Sequence, residues 1–164
     1  MSEEIKTIFD PKKEITDEDW RGMKQKLEEL RGRPWRDFLS MVMAMKIIFP
    51  EKFAEISISE KEWKEMREEL ENYRGKVWLF FVSQVMAMKI VMPEKFKPRS
   101  EISLLWGKEV SISLEDWQGI KGELENYRNK GLWLDFSTLA MGMKILASPE
   151  VKISDKGLEL KGRD

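Results

Sequence analysis

The side chains that could perform chemistry in this sequence are carboxylates, amines, guanidinium groups, thioethers and indoles, because the chain contains neither histidine nor cysteine. The commonest general base and the commonest ligand of transition metals are therefore both missing. A glycine-rich phosphate loop, a pair of metal ligands at helical spacing and a serine beside a suitable base are absent as well. We predict that the protein is not an enzyme and has no catalytic, cofactor-binding or metal-binding residues.

Methionines cluster in three short segments, and thioethers can bind Cu(I). Methionines two residues apart on a helix point about 200° away from each other, which opposes a shared metal site. We favour a Met-rich core, and an adaptable groove for a partner helix is the alternative. Met41 is the candidate partner contact in this set. The clustered residues are Met41, Met43, Met45, Met86, Met88, Met92, Met141 and Met143.

Six of the seven tryptophans occur at the same places in three related segments. They could form an aromatic platform for a ligand or pack at the starts of helices. Because the positions recur in every segment, we favour packing. Trp106 lies outside these segments, beside Gly107, and is a candidate partner contact. The six recurring residues are Trp20, Trp63, Trp117, Trp35, Trp78 and Trp133.

Three charged residues also recur once in each segment. A Glu and an Arg three positions apart can pair on a helix surface. A Lys in the last turn of the following helix is stabilised there by the exposed carbonyls at the negative end of the helix dipole. A set that occurs three times indicates a structural lattice between units, since an active site would normally occur once. The residues are Glu28, Glu71 and Glu125, then Arg31, Arg74 and Arg128, then Lys46, Lys89 and Lys144.

Apart from Trp106, these residues belong to three copies of one sequence unit. The segment Ile15–Trp20 recurs as Ile58–Trp63 and as Ile112–Trp117. We predict a single domain over residues 1–164. Its parts are repeat 1 (15–57), repeat 2 (58–97), an insertion (98–110), repeat 3 (111–151) and a C-terminal extension (152–164).

Each copy is predicted to fold as two helices. Thr16, Ser59 or Ser113 is the N-cap of the first helix, and an acidic residue three positions later completes a capping box. The apolar residues of this helix form one narrow stripe, which predicts an outer, half-exposed helix. The second helix is apolar on nearly every side towards its end, which predicts an inner, buried helix. The predicted fold class is mainly α: three tandem helix pairs in an α-solenoid-like array or a compact helical bundle.

Segments with alternating apolar residues lie between and beyond the helix pairs, at Ile56/Ile58, Ile102/Leu104, Val110/Ile112, Val151/Ile153 and Leu158/Leu160. They predict a few short β strands or hairpins, which would cap the ends of the helical array. Gly22 and Gly119 occupy one position inside the first helix, where glycine costs about 1 kcal/mol relative to alanine. Close approach of a flanking segment, a second subunit or a partner would explain both glycines and makes both candidate partner contacts, and tolerated surface variation is the alternative.

The charge of the chain is balanced, with 29 basic and 30 acidic residues and a net charge of −1. This balance argues against nucleic acid as a partner, although a local basic face near Lys24, Arg31, Arg33 and Arg36 stays an alternative. The start of the chain lacks the apolar stretch of a signal peptide, and no apolar run is long enough to span a bilayer. We predict a cytoplasmic protein that does not enter membranes.

The pattern Trp-x-Gly-Met/Ile-Lys-x-x-Leu-Glu, then Trp-x-x-Phe, then Ala/Gly-Met-Lys-Ile and Pro-Glu resembles helical-repeat proteins from genomes of ultra-small uncultured bacteria. The resemblance covers residues 15–151 and implies no activity, because none is assigned to such proteins. Spacing of 43 residues between Trp20 and Trp63 is similar to α-solenoid repeats of the HEAT or tetratricopeptide kind in architecture alone.

Stacked repeats form extended surfaces, and a fold by itself does not name a function. A module that binds another protein is therefore the predicted function. The alternatives are a self-assembling structural protein, which would be a homo-oligomer, and a nucleic-acid-binding protein that uses the local basic face.

Overall fold

A computed structural model describes residues 10–96, 105–106, 110–148, 150–154 and 157–161 of the chain. This part of the protein is mainly α-helical, as predicted, and its long helices form three consecutive pairs. The helices are α1 (Pro11–Glu14), α2 (Asp17–Leu30), α3 (Trp35–Ile48), α4 (Glu60–Tyr73), α5 (Trp78–Val91), α6 (Leu114–Lys130) and α7 (Trp133–Ala147). Short 3-10 helices, Pro50–Glu55 and Pro93–Phe96, follow α3 and α5.

The first helix of each pair begins at a capping box. In α2, the Thr16 hydroxyl accepts a hydrogen bond from the Asp19 N–H, and the Asp19 carboxylate accepts one from the Thr16 N–H, both at 3.0 Å. These bonds satisfy backbone donors that have no partner inside the helix. Both bonds of this box recur at the N-caps Ser59 and Ser113. The sequence pattern therefore sets the start of all three first helices.

Glycines reverse the chain between the two helices of a pair. Gly75 (φ 77°) and Gly131 (φ 70°) adopt the left-handed conformation, which a residue with a Cβ atom adopts at a cost. After Gly131, the Leu132 N–H donates to the Tyr127 carbonyl at 3.0 Å and closes the end of α6. The second helix then folds back against the first in each pair.

The second helices form an inner layer in the order α3, α5, α7. Helix α5 lies between the other two and is buried along most of its length, as its apolar sequence predicts. Helices α2 and α4 are outer helices, each with one buried stripe that includes Trp20 and Leu27 or Trp63 and Leu70. Burial of each such large apolar side chain stabilises the fold by roughly 1.5–3 kcal/mol. The layer order therefore fixes which faces of the helix pairs meet.

Two small antiparallel hairpins accompany the helices, one at the insertion and one at the C-terminal extension, whereas the predicted segment Ile56/Ile58 contains no strand. Strand β1 (Leu105–Trp106) pairs with β2 (Ser111–Ile112), and β3 (Glu150–Ser154) pairs with β4 (Gly157–Lys161). Strand β3 contacts α5, and β4 contacts α3. The C-terminal hairpin therefore lies against the inner layer of the first two pairs, whereas we expected a cap over an end of the array.

Candidate interaction surface at the third helix pair

An arginine at the end of the first helix of a pair joins the first pair to the second and the second pair to the third. Arg31 pairs with Glu28 in its own pair and with Glu62 at the start of α4, both at 2.7 Å. Hydrogen bonding to Arg31 holds the pKa of Glu28 below its ordinary value. Burial raises the pKa of Glu62, but hydrogen bonds from Ser59 and Arg31 outweigh burial, and the net shift is downward. Both carboxylates are therefore bound in their charged form.

Arg74 makes the same two contacts one pair further along. It binds Glu71 at 2.7 Å and Asp116, at the start of α6, at 2.6 Å. In the third pair, Arg128 contacts Glu125 at 3.4 Å, and its side chain is 52% exposed, compared with 22% for Arg74. Within the described residues, no further helix pair supplies the second carboxylate to Arg128. The predicted Glu–Arg pairs are thus present in all three copies, and two of them extend across a boundary between pairs.

A lysine forms a second joint between inner helices. Lys46 donates to the carbonyls of Ile90 (2.8 Å) and Val91 (2.9 Å) at the end of α5. Burial lowers the pKa of Lys46. The ammonium group therefore binds the end of the following inner helix, whereas we expected the end of its own helix.

Lys89 repeats this joint in the interior and Lys144 does not. Lys89 is 2% exposed and donates to carbonyls at the end of α7. Lys144 is exposed to solvent. The acceptors of Lys89 are the carbonyls of Ile145 (2.9 Å), Leu146 (3.3 Å) and Ser148. The lysine in the last turn of the inner helix therefore binds carbonyls of the following pair in α3 and α5. In α7 this lysine is exposed.

In α3 and α5, one face of the inner helix meets the next pair. No described residue covers the equivalent face of α7. Trp133 is 59% exposed, whereas its equivalent in α3, Trp35, is 2% exposed. Residues spaced by three or four positions share one side of a helix, and those of α7 on this side are all exposed. We call them, together with Arg128, the open face of the third pair: Arg128, Trp133, Leu134, Ser137, Met141 and Lys144.

This exposure corrects part of the sequence prediction for α7. We expected an inner helix that is buried on all sides. Trp133 does pack edge-to-face on Phe136 at the start of the helix, with ring centres 5.3 Å apart, but most of the indole is exposed. In α5 the following pair covers the equivalent face, and Trp78 contacts α6 at Gly119. No helix pair covers the face of α7 within the described residues. Sequence similarity between copies could not indicate this difference, because it reports the position of a residue and not its neighbours.

The glycines that we selected as partner contacts differ in their surroundings. A Cβ atom on Gly119 would lie 2.8 Å from Nε1 of Trp78, so the indole of the second pair packs directly on this glycine. Around Gly22, no atom lies within 4 Å of the position that a Cβ would take. A third glycine, Gly142, contacts Val82 of α5, and nothing in its sequence position indicates this contact. Gly22 therefore has open space at the position where its equivalent, Gly119, contacts an indole.

The other candidate residues are placed as follows. Met41 is half-buried and packs against the core, in agreement with the favoured core interpretation. The side chain of Trp106 lies outside the described residues. In the candidate basic face, Lys24 pairs with Glu55 at 2.7 Å and Arg33 with Glu68 at 3.2 Å.

No protein-family model, curated protein or solved structure matches this chain. Within the described ranges, no group of three or more carboxylates is placed to hold a metal ion. Of the helices in those ranges, none is both long and apolar enough to cross a bilayer. Interpretation of the open face therefore depends on its own geometry and chemistry.

Acid should weaken the arginine joints. The pKa values of Glu28 and Glu62 are lowered in the folded state, so their contribution to stability is complete above the unfolded value of 4.5 and is lost as the pH falls through the folded values. We expect Arg31→Met to lower the free energy of unfolding by about 1 kcal/mol at neutral pH and to flatten its decrease in acid. Urea denaturation at several pH values measures both effects.

The matched control is Arg128→Met, because Arg128 has no joint to a following pair among the described residues. We expect its pH profile to follow that of the wild type. Equal effects of the two substitutions would contradict a role of the joint between pairs.

Proposed function

We propose that this protein is a non-catalytic protein–protein interaction module and that its contact surface is the open face of the third pair. One observation carries the proposal. Within the described residues, six large apolar side chains are exposed, and all but Val77 belong to the third pair. Exposed apolar patches with polar rims are typical of binding surfaces. Three of these five residues, Trp133, Leu134 and Met141, lie on the open face, and the other two, Leu114 and Leu132, lie outside it.

The chemistry of the open face supports a protein partner. Tryptophan, methionine and arginine are enriched in protein interfaces, and the open face presents Trp133, Met141 and Arg128. Its two cations, Arg128 and Lys144, occupy positions whose equivalents bind carboxylates and helix-end carbonyls in the first two pairs. A suitable partner therefore offers an apolar surface for the indole and acidic or carbonyl oxygens beside it.

The contacts of the basic face support a protein partner over nucleic acid. Lys24 and Arg33 are paired with carboxylates, and the Arg36 guanidinium lies 4.2 Å from the centre of the Phe80 ring. Cations that already neutralise carboxylates add little to the phosphate contacts on which nucleic-acid binding depends.

A pull-down with variants of the open face tests the proposal. The tagged chain, its Trp133→Ser/Leu134→Ser variant and a Leu114→Glu control are incubated with lysate of the native host, with and without nuclease, and bound proteins are identified by mass spectrometry. We expect one protein, which can be the untagged chain itself, at near-stoichiometric yield with the wild type and the control. We expect the double variant to lose it. The control is matched because Leu114 is exposed and stands where α4 begins with Glu60.

Three outcomes would contradict the proposal. A partner that persists with the double variant binds another surface. A partner that disappears after nuclease treatment indicates recognition of nucleic acid. Recovery of the bait alone, at the mass of one chain, removes the interaction module altogether.

A further inference from the structure

The open face of the third pair has a complementary surface at the other end of the helical array. We propose that a second copy of this chain docks there, so that copies join head to tail through the joint that connects the second pair to the third. This inference rests on the proposed function, because it names the partner of the same open face. We call the complementary surface the rear face of the first pair: Asp19, Gly22, Ala44, and the carbonyls of Ile47 and Ile48.

The exposure of Asp19 and Ala44 and the open space at Gly22 show that no described part of the chain covers these three positions of the rear face. Ala44 is exposed, whereas its equivalents Ala87 and Gly142 are buried by the preceding inner helix. Asp19 is exposed, whereas its equivalent Asp116 is half-buried beside an arginine. The rear positions of α2 and α3 are therefore the positions that a preceding pair covers elsewhere.

The tryptophan and the glycine at the two ends match each other. Within the chain, the Trp78 indole packs on Gly119, where a Cβ would lie 2.8 Å from Nε1. Trp133 is the equivalent of Trp78 and is exposed, and Gly22 is the equivalent of Gly119 and has open space above it. Seating Trp133 of one copy on Gly22 of the next reproduces this contact. The second pair has Glu65 at this position. The match is therefore to the contact between the second and third pairs, and not to the contact between the first and second.

The charged groups match in the same direction. Among the described residues, Arg128 has no counterpart to the Asp116 carboxylate that binds Arg74, and Asp19 of the rear face is the equivalent carboxylate. Lys144 is exposed, and the carbonyls of Ile47 and Ile48 correspond to those that accept from Lys46 in α5. One docking geometry therefore supplies an acceptor to both Arg128 and Lys144.

Two substitutions make this joint weaker than the internal ones. The open face has Ser137 where α3 and α5 have Leu39 and Val82. Beside the rear face, Lys26 stands at the position of Glu69 in α4, whose carboxylate accepts a hydrogen bond from the Trp35 N–H at 2.9 Å. Less apolar surface is buried and one acidic acceptor is missing, so we expect reversible, concentration-dependent association. Because the two surfaces differ, each added copy exposes a new open face, and growth continues beyond a dimer unless a ring closes.

Sedimentation velocity of the whole chain, from about 1 μM to about 1 mM, tests this inference. We expect the wild-type mass to increase with concentration to more than two chains. Gly22→Leu blocks the seat of the indole, and Trp133→Ser removes the indole. Each variant alone is expected to stay a monomer or to need at least about tenfold higher concentration. Both positions are open to solvent, and circular dichroism with thermal unfolding verifies that each variant folds.

Mixing the two variants gives the sharpest outcome. Gly22→Leu retains its open face and Trp133→Ser retains its rear face, so an equimolar mixture is expected to form a species of two chains and nothing larger. A wild type that stays monomeric, a Gly22→Leu variant that associates as before, or a mixture that stays monomeric would each overturn head-to-tail docking.

The same measurements separate this inference from the proposed function. If the wild type is monomeric but a lysate protein is retained and then lost with Trp133→Ser/Leu134→Ser, docking of a second copy is wrong and the interaction surface stands. If the wild type associates and Gly22→Leu does not prevent it, the copies meet through another arrangement. If the wild type is monomeric and retains nothing, both proposals fail.

Discussion

Replacing Lys89 by methionine is expected to lower the free energy of unfolding by about 3 kcal/mol. The side chain is 2% exposed, and its ammonium group donates to three carbonyls at the end of α7. Methionine fills a similar volume but donates nothing, so these buried acceptors lose a charged donor. Removing a desolvated charge offsets only part of that loss. Urea denaturation followed by circular dichroism measures the change.

The repeat supplies its own controls for this experiment. Lys46→Met removes a half-buried donor with two carbonyl acceptors and is expected to cost about 1–2 kcal/mol. Lys144→Met removes an exposed ammonium group and is expected to change stability by less than about 0.5 kcal/mol in dilute solution. Equal effects at the three positions would show that the joints between inner helices contribute nothing beyond the side-chain stem.

Gly142→Leu is expected to lower the free energy of unfolding by about 2–3 kcal/mol. Gly142 brings α7 into direct contact with Val82 of α5, and even a Cβ atom at this position would overlap the valine side chain. A leucine forces the two inner helices apart, which also moves the end of α7 away from Lys89. The higher helix propensity of leucine returns less than about 1 kcal/mol.

Gly122→Leu is the matched control for the packing effect. Gly122 lies on the exposed side of α6, and nothing is within 4 Å of its Cβ position. We expect this variant to be more stable than the wild type by about 0.5–1 kcal/mol, because propensity acts alone. A stabilising effect of Gly142→Leu in the same thermal or urea unfolding series would mean that α5 and α7 pack less closely than described.

Local features of this fold could be predicted from the sequence, because they depend on residues a few positions apart. The capping box of Thr16 and Asp19 and the pairing of Glu28 with Arg31 lie within one or two helical turns. The buried character of α5 follows from its apolar composition. The mainly α class and the three helix pairs follow from these local patterns.

A lattice between pairs could be predicted but not which residues meet there, because a recurring charged set does not state the order or direction of stacking. Arg31 was expected to pair inside its own helix, and nothing in its spacing indicates Glu62 as a second partner. Trp133 was grouped with Trp35 by position, although one is exposed and the other buried. A residue at the end of an array keeps the pattern of its repeat while it loses the neighbour for which that pattern is suited.

Every helix pair carries donors on one side and the matching acceptors on the other, as Arg74 and Asp116 illustrate. The two ends of such a unit match each other when copies are placed in a row. Tandem duplication of its coding segment therefore yields a longer protein without new interface residues. The number of helix pairs can then change while the side chains at each joint stay the same.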